Sequence, residues 1–274
     1  MKLLYPLAKR FIAGHSFDSA KGTINNLIKD GYGVSIDYIG ENSKTVSDSL
    51  TAFKQYLKII KYYKNKKINL SIKPTQLGIL IHPIIANNFI DRIAKRAKEN
   101  SHTIRLDMED KNVTELTRNL AISLNKKYKN VGVAVQANLY RTWSDVDLLI
   151  ENNVSIRLVK GAYKGDIKTK EVKEDFYGLA IYLKLRGANN PAIATHDEEL
   201  LNKIDNDFYD YEFLYGIRRD LQKRLMKNKR RVSIYIPFGE NWLSYTLRRL
   251  KEFKNLKFVI INIFKEIRDA ILKR

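Results

Sequence analysis

Short runs of apolar and β-branched residues alternate along this chain with longer stretches whose apolar positions recur every three or four residues. Eight such runs are visible: 34–37, 69–73, 103–107, 131–136, 155–160, 192–195, 212–215 and 232–235. Helical periodicity fills the gaps, most plainly over 46–63, 84–100 and 113–127. Eight strands alternating with helices predict an α/β fold, a (β/α)8 barrel, and 274 residues is close to the usual size of ~250. An open doubly wound sheet is the alternative, but the chain lacks the G-x-G-x-x-G phosphate loop that usually accompanies it. No linker, repeat or low-complexity tract divides the sequence. The expectation is therefore one domain over 1–274, with strands from about 34 to 236 and terminal helical segments at 1–32 and 253–274. Residues 259–272 alternate apolar and charged positions at helical spacing, which suits packing on the barrel, on a partner subunit or on lipid.

Composition narrows the class. Hydrophobic residues make up 44%, so the chain is not a disordered basic tail. Cysteine is absent, which excludes disulfides and thiolate metal sites. His15, His82, His102 and His196 are too dispersed to form a zinc motif, and no metal is expected. The most apolar C-terminal run, 258–264, is broken by Asn262, far short of the ~20 residues a span needs. The N-terminus has no apolar core of the kind a signal peptide carries, so a cytoplasmic location is expected. The outlying quantity is charge: a formal +20, with a pI near 9.8. Nucleic acid, an anionic membrane surface and plain solubility all accommodate it.

The barrel reading says where chemistry belongs, because such sites form at the C-terminal ends of the strands. Those ends carry Asp37, Lys73, Asp107, Gln136, Lys160, Thr195-His196-Asp197, Tyr215 and Tyr235. Strands covered on both faces are expected to be apolar runs, so polar groups here are the departure that marks a site. The set has no Ser–His pair and no dense acidic cluster. It does have Lys73, Arg157, Lys160 and the adjacent Arg248-Arg249, and a cationic pocket calls for a carboxylate or a phosphate. An amino-acid oxidoreductase and a sugar-phosphate enzyme both satisfy that.

Ten blocks, in order, carry a family resemblance. They begin with Arg10-Phe11-Ile12-Ala13-Gly14, Asp37-Tyr38-Ile39-Gly40-Glu41 and Ser71-Ile72-Lys73-Pro74-Thr75-Gln76-Leu77-Gly78. Leu106-Asp107-Met108-Glu109, Gln136-Ala137-Asn138-Leu139-Tyr140-Arg141-Thr142 and Arg157-Leu158-Val159-Lys160-Gly161-Ala162-Tyr163 follow. The last four are Ala194-Thr195-His196-Asp197, Leu214-Tyr215-Gly216-Ile217-Arg218, Ile234-Tyr235-Ile236-Pro237-Phe238-Gly239 and 245–252, a Tyr-x-x-Arg-Arg-x-x-Glu pattern. The chain resembles the monofunctional proline dehydrogenase family. The resemblance implies a distorted (β/α)8 barrel that holds FAD, oxidises L-proline to 1-pyrroline-5-carboxylate and passes electrons to a membrane quinone.

The same resemblance implies roles. Arg248, Arg249 and Lys73 clamp the proline carboxylate, with Glu252 bracing the guanidinium groups. An ordinary exposed Arg/Glu helix face is the plain alternative for that pattern. Tyr163, Tyr235 and Leu214 surround the ring, and a tyrosine at position 235 matches members that act on proline rather than hydroxyproline. Asp107 and Arg157 are the catalytic pair, with Arg157 near flavin N5. Met108, Gln136, Lys160, Gly161, Ala162, Thr195 and His196 contact the cofactor together with that pair. The chain departs from the pattern at Asn138, where tyrosine is frequent, in a shortened N-terminal helical region and in a compact 178–191 segment. These departures bear on the oligomer and the acceptor surface. A flavin barrel acting on another cyclic amino acid is the nearer alternative. A nucleic-acid-binding barrel is the more distant one, with Arg218-Arg219 and 227–231 as its only material, and no nucleic-acid partner is expected.

The charge then takes a different meaning. Lysines outnumber arginines 33 to 17, which suits solvated charge rather than specific phosphate grip. From 216 to 274 there are 17 Lys and Arg against 5 Asp and Glu. A quinone-reducing enzyme has to approach an anionic leaflet, where each basic side chain contributes ~1 kcal/mol. Peripheral docking of this segment predicts co-sedimentation with vesicles containing anionic lipid and release by salt. Absence of salt-sensitive binding returns the charge to a solubility role.

Overall fold

Alternation at period two decides which way each strand side chain points. The computed structural model describes residues 8–168 and 170–252, with side chains described through Arg249. The strands are β1 (Gly33–Tyr38), β2 (Asn69–Ile72), β3 (Thr103–Leu106), β4 (Val131–Gln136), β5 (Ser155–Val159), β6 (Ala192–Ala194), β7 (Asp210–Leu214) and β8 (Arg231–Phe238). They pair in parallel and in chain order, and β1 closes on β8 from Gly33 opposite Ser233 to Tyr38 opposite Phe238. All eight expected strands are present, with the open-sheet alternative excluded by closure.

The helices are α1 (Phe17–Lys29), α2 (Val46–Tyr62), α3 (Pro83–Glu99), α4 (Thr114–Tyr128), α5 (Thr142–Glu151), α6 (Val172–Leu185), α7 (Glu198–Ile204), α8 (Arg219–Lys227) and α9 (Trp242–Glu252). Their starts follow local chemistry. Ser16 with Ser19, and Thr45 with Asp48, form reciprocal capping boxes, and Asp197 caps α7 by accepting from the Leu200 N–H. Pro83 opens α3, where its missing N–H costs nothing.

The apolar half of each strand faces the helices. Ile36, Leu70, Ile72, Leu106, Ile156 and Leu158 are fully buried in one continuous core with helix residues such as Ile59, Ile90 and Leu179. The other half corrects the expectation of strands that are apolar on both faces. Ser35, Ser71, Arg105, Asp107, Arg157 and Glu212 are buried inside the barrel, where bulky aliphatic residues commonly pack. Interior polarity is possible because these groups satisfy one another: Ser35 Oγ lies 3.0 Å from Ser71 Oγ, and Asn69 Nδ2 donates to Thr103 Oγ1 at 2.8 Å.

The barrel is distorted at its closing seam. In a regular barrel the helix after β8 packs on the outside. Here α1 fills that place, with the Phe17 and Phe238 rings 5.8 Å apart. The helix after β8, α9, instead lies over the C-terminal mouth, because Ser244, Tyr245, Arg248 and Arg249 line the cavity there. A second apolar cluster of Ala8, Phe11, Ile12, Ile39, Ile217 and Tyr245 ties the N-terminal segment to α9. Of the expected terminal helical segments, 8–32 contains α1, whereas 1–7 and 253–274, including the 259–272 pattern, lie outside the described residues.

Gly216, just after β7, fixes this seam. Its φ is +76°, and a Cβ there would overlap the Arg10 carbonyl oxygen. Gly187 has φ +62° with open space around it. Gly187→Ala should therefore cost about 1 kcal/mol from backbone conformation alone. Gly216→Ala should cost at least twice as much, because the N-terminal segment has to move as well. Urea unfolding of the two variants checks this, and equal losses would remove the Arg10 contact from the account.

Candidate active site

The C-terminal ends of the strands converge on a cavity of about 790 Å³, within the range of small-molecule and cofactor sites. Its floor is a chain of alternating charges. Arg105 Nη1 lies 3.4 Å from Glu212 Oε2, and Glu212 Oε1 lies 2.8 Å from Arg157 Nη2. Arg157 Nη1 donates to Asp107 Oδ1 at 2.7 Å. Lys73 Nζ then bridges Asp107 Oδ2 at 3.2 Å and Asp37 Oδ1 at 2.7 Å. Three cations and three carboxyl groups thus alternate without a gap. Tyr235 locks the upper end: its hydroxyl accepts from Lys73 Nζ at 3.0 Å and donates to Asp107 Oδ2 at 2.7 Å.

The titration behaviour follows from the neighbours. Burial pushes the Asp37 carboxyl up, against the pull of Lys73. Burial acts on Asp107 in the same sense, but Lys73 and Arg157 outweigh it and hold this carboxylate below its ordinary range. Burial would lower Lys73, yet Asp37, Tyr235 and Asp107 hold its ammonium well above the usual value. Arg105 is brought down to about 10 by burial and by the charge of Arg157. Two carboxyl groups either side of one lysine are therefore driven apart.

The walls come from the strand ends and the loops that follow. Gln136 donates through Nε2 to the Glu109 carbonyl at 3.1 Å. Glu109 also accepts from the Thr75 N–H at 3.0 Å and from the Thr75 hydroxyl at 2.5 Å, so one buried acid fixes the turns after β2, β3 and β4. Gly161, with φ +116°, lies so close to Asn138 that any Cβ would overlap that amide. Asn138 in turn donates to the Tyr163 carbonyl at 2.9 Å, and its own carbonyl accepts from the Asp166 and Ile167 N–H groups. Asn138, a departure in sequence, thus organises the loop that carries Lys160, Gly161, Ala162 and Tyr163. Lys160 is held at the rim by Asp197 at 2.8 Å. His196 Nε2 accepts from the Leu214 N–H at 3.1 Å. Burial, with the cations Arg249, Arg218 and Lys160 nearby, lowers its imidazole to about 3, so the ring is neutral and its proton sits on Nδ1.

The roof is α9 with the loop after β1. Glu41 accepts from the Tyr163 hydroxyl at 2.8 Å and pairs with Arg248 Nη2 at 2.7 Å. Those bonds hold its carboxylate down despite partial burial. Arg249 lies over the Tyr245 ring, its Cζ 5.3 Å from the centroid.

Of the residues singled out in the sequence, Lys73, Asp107, Met108, Gln136, Arg157, Lys160 to Tyr163, Thr195, His196, Leu214, Tyr235, Arg248 and Arg249 all line this one cavity. The Glu252 side chain lies outside the described residues. Tyr215, a strand-end candidate, is not among the lining residues: the Arg219 guanidinium sits 6.0 Å from its ring instead. β6 ends at Ala194, so Thr195 and His196 stand on the loop rather than the strand. Glu212, Arg105, Ser35 and Ser71 lie inside strands and are not among the candidates the sequence offers, and Glu41 and Asn138 carry no role there. A signal existed: a charged residue at the same alternation phase in three apolar strands, as in Thr103-Ile104-Arg105-Leu106, Ser155-Ile156-Arg157-Leu158 and Tyr211-Glu212-Phe213.

A closed parallel barrel with an ionic, partly covered cavity at its C-terminal mouth defines an enzyme of the (β/α)8 class. Residues 20–182 match the family model for proline dehydrogenase. Proline dehydrogenase 2 of Bacillus subtilis is 32% identical over 262 residues, spanning 89% of this chain and 86% of the relative. Proline dehydrogenase of Deinococcus radiodurans is 30% identical over 283 residues, spanning 96% and 91%. The crystal structure of proline utilization A from Bdellovibrio bacteriovorus, inactivated by N-propargylglycine, superposes with a TM-score of 0.85 at 22% identity. That superposition covers 94% of this chain and 34% of the larger protein, and it is a likeness of fold. The chain belongs to the proline dehydrogenase family of oxidoreductases.

Burial raises the Glu109 carboxyl from 4.5 to about 7, against the hydrogen bonds from Thr75. Between those pH values the folded protein keeps a proton that the unfolded chain has released, so stability falls as pH rises through the window. The loss amounts to about 3 kcal/mol once pH passes 7. Glu109→Gln, which cannot titrate, should flatten this part of the profile in urea unfolding at pH 5 and pH 8. An unchanged profile would show that Glu109 does not hold the proton.

Proposed function

We propose that this protein oxidises L-proline to 1-pyrroline-5-carboxylate using FAD and hands the electrons to a membrane quinone, the first step in proline catabolism. The observation that supports this best is the meeting of Arg248, Arg249 and Lys73 with the Arg157–Asp107–Tyr235 network in a single cavity. Proline offers one strong anchor, its carboxylate, and a planar guanidinium fork grips a carboxylate through two bonds.

The residues present fit a flavin dinucleotide. The cavity has the size of a cofactor site and apolar lining from Met108, Ala134, Val159 and Phe213. Its polar groups are donors suited to a heterocycle edge and to phosphate: the Gln136 amide, the Arg157 guanidinium, Lys160 and the Thr195 hydroxyl. Gly161 allows close backbone approach on the same wall. In this reading Asp107, Met108, Gln136, Arg157, Lys160, Gly161, Ala162, Thr195 and His196 hold FAD. When bound, FAD supplies the two-electron acceptor chemistry that side chains lack.

The chain's own residues do the rest. Arg248 and Arg249 on α9 take the substrate carboxylate and so set where the ring lies. Lys73 adds its charge from below. Its three donors already serve Asp37, Asp107 and Tyr235, so a direct bond to substrate requires it to release one of them. Tyr163, Leu214 and Tyr235 enclose the ring and keep water away. Tyr235, held by two hydrogen bonds, presents a rigid wall against a bulkier ring. The α9 roof, tied down through Arg248 and Glu41, covers the mouth.

No helix among the described residues is long and apolar enough to cross a membrane, so in this reading contact with a quinone-bearing membrane is peripheral.

Purified protein should be yellow or become so with FAD, and proline should bleach the flavin band without oxygen. Arg249→Lys should keep the flavin and raise the proline KM tenfold or more, since an ammonium loses the fork worth about 1.4 kcal/mol. A protein that takes up no FAD and reduces no dye with proline would overturn the reading. An unchanged KM would remove Arg249 from the clamp. Rates with hydroxyproline and pipecolate define the ring specificity.

A further inference from the structure

Arg157, on β5, is held by side chains from four other parts of the barrel wall. Its guanidinium bonds Asp107 just after β3, the hydroxyls of Ser35 and Ser71 on β1 and β2 at 3.0 and 2.8 Å, and Glu212 on β7 at 2.8 Å. Asp107 and Glu212 therefore grip it from opposite sides of the barrel. The Arg157 and Glu212 side chains are each 4% exposed, so neither charge is screened by bulk water. Glu212 also reaches Arg105, which donates to Ser155 at 2.9 Å and lies one step further from the mouth. Glu212 thus stands between two guanidinium groups and borders the cavity.

We propose that Glu212 is a positioning residue for Arg157, fixing its plane and setting, together with Arg105, how much positive charge the barrel floor presents to the bound flavin. The inference rests on the flavin reading above. Its physics is that of a buried alternating chain. A carboxylate between two cations cancels part of each, so neutralising it strengthens the positive field at the cavity. Removing the outer cation does the reverse, because Glu212 then serves Arg157 alone. Substitution at these two positions has opposite electrostatic signs, whereas loosened packing has no sign preference.

The test is the flavin midpoint potential of the FAD-loaded protein and of two variants, measured without substrate. Positive charge near the ring favours the reduced, more negative form of the flavin. Glu212→Gln should shift the potential upward, and Arg105→Met should shift it downward. Opposite shifts with flavin retained support the proposal. Unmoved potentials, or shifts of the same sign in both variants, overturn it. Where Glu212→Gln does not fold, Arg105→Met decides alone, and an upward or absent shift is the overturning result. A wild-type protein that binds no FAD overturns the flavin reading itself, an outcome separate from a yellow protein whose potential ignores both substitutions.

Discussion

Ionic groups inside a barrel persist only when each is matched, and the chain of pairs from Arg105 to Asp37 is the constraint on which this molecule depends. An unpaired charge at this depth would cost several kcal/mol, and breaking one buried pair commonly costs 3–5 kcal/mol. Alternation removes that penalty, since every carboxyl group faces a cation and every cation a carboxyl group. The serine hydroxyls of β1 and β2 supply the remaining hydrogen bonds to Arg157. The floor is consequently rigid and charged where aliphatic packing would have made it rigid and inert. The site above it inherits side chains already locked by their neighbours, which is the preorganisation a reactive centre needs.

The unusual placement of α9 follows from the same division of labour. A barrel floor can orient the flat part of a ligand, but it offers nothing above it. Moving the helix after β8 from the outer wall to the mouth puts Arg248 and Arg249 opposite the floor. The vacated slot would expose the seam between β8 and β1, and α1 covers it with Phe17 against Phe238. Glu41 then joins three separate segments, the loop after β1, the loop after β5 and α9, through one carboxylate. The N-terminal segment supports α9 from behind through Phe11, Ile12 and Tyr245. Roof and floor are built independently and meet at the cavity.

How far this was legible in the sequence depends on the range of each interaction. The eight strands and their helices were readable because period-two and 3.6-residue patterns act over a few neighbouring residues. Lys73 and Asp107 were readable as candidates because they stand at the ends of apolar runs, and Arg157 because it is one of few cations near those ends and falls in a family block. Glu212 and Arg105 were passed over because a charge inside a strand looks like a solvated position until its partner is known. Asn138 looked like a loss of a tyrosine, and its role appears only when the loop it binds is folded back over it.

The sequence by itself determined the order and kind of the elements, the strand ends as the place for chemistry and, through ten short blocks, the family. Tertiary structure alone decided the pairing. Asp107 meets Arg157 across 50 residues and Tyr235 across 128, distances over which no local pattern carries information. It also decided that the strand interiors are ionic and that the helix after β8 is a roof. The physical reason is closure: only when β1 pairs with β8 do inward side chains from opposite strands come within hydrogen-bonding reach, and only then does a buried charge find the partner that makes its burial tolerable.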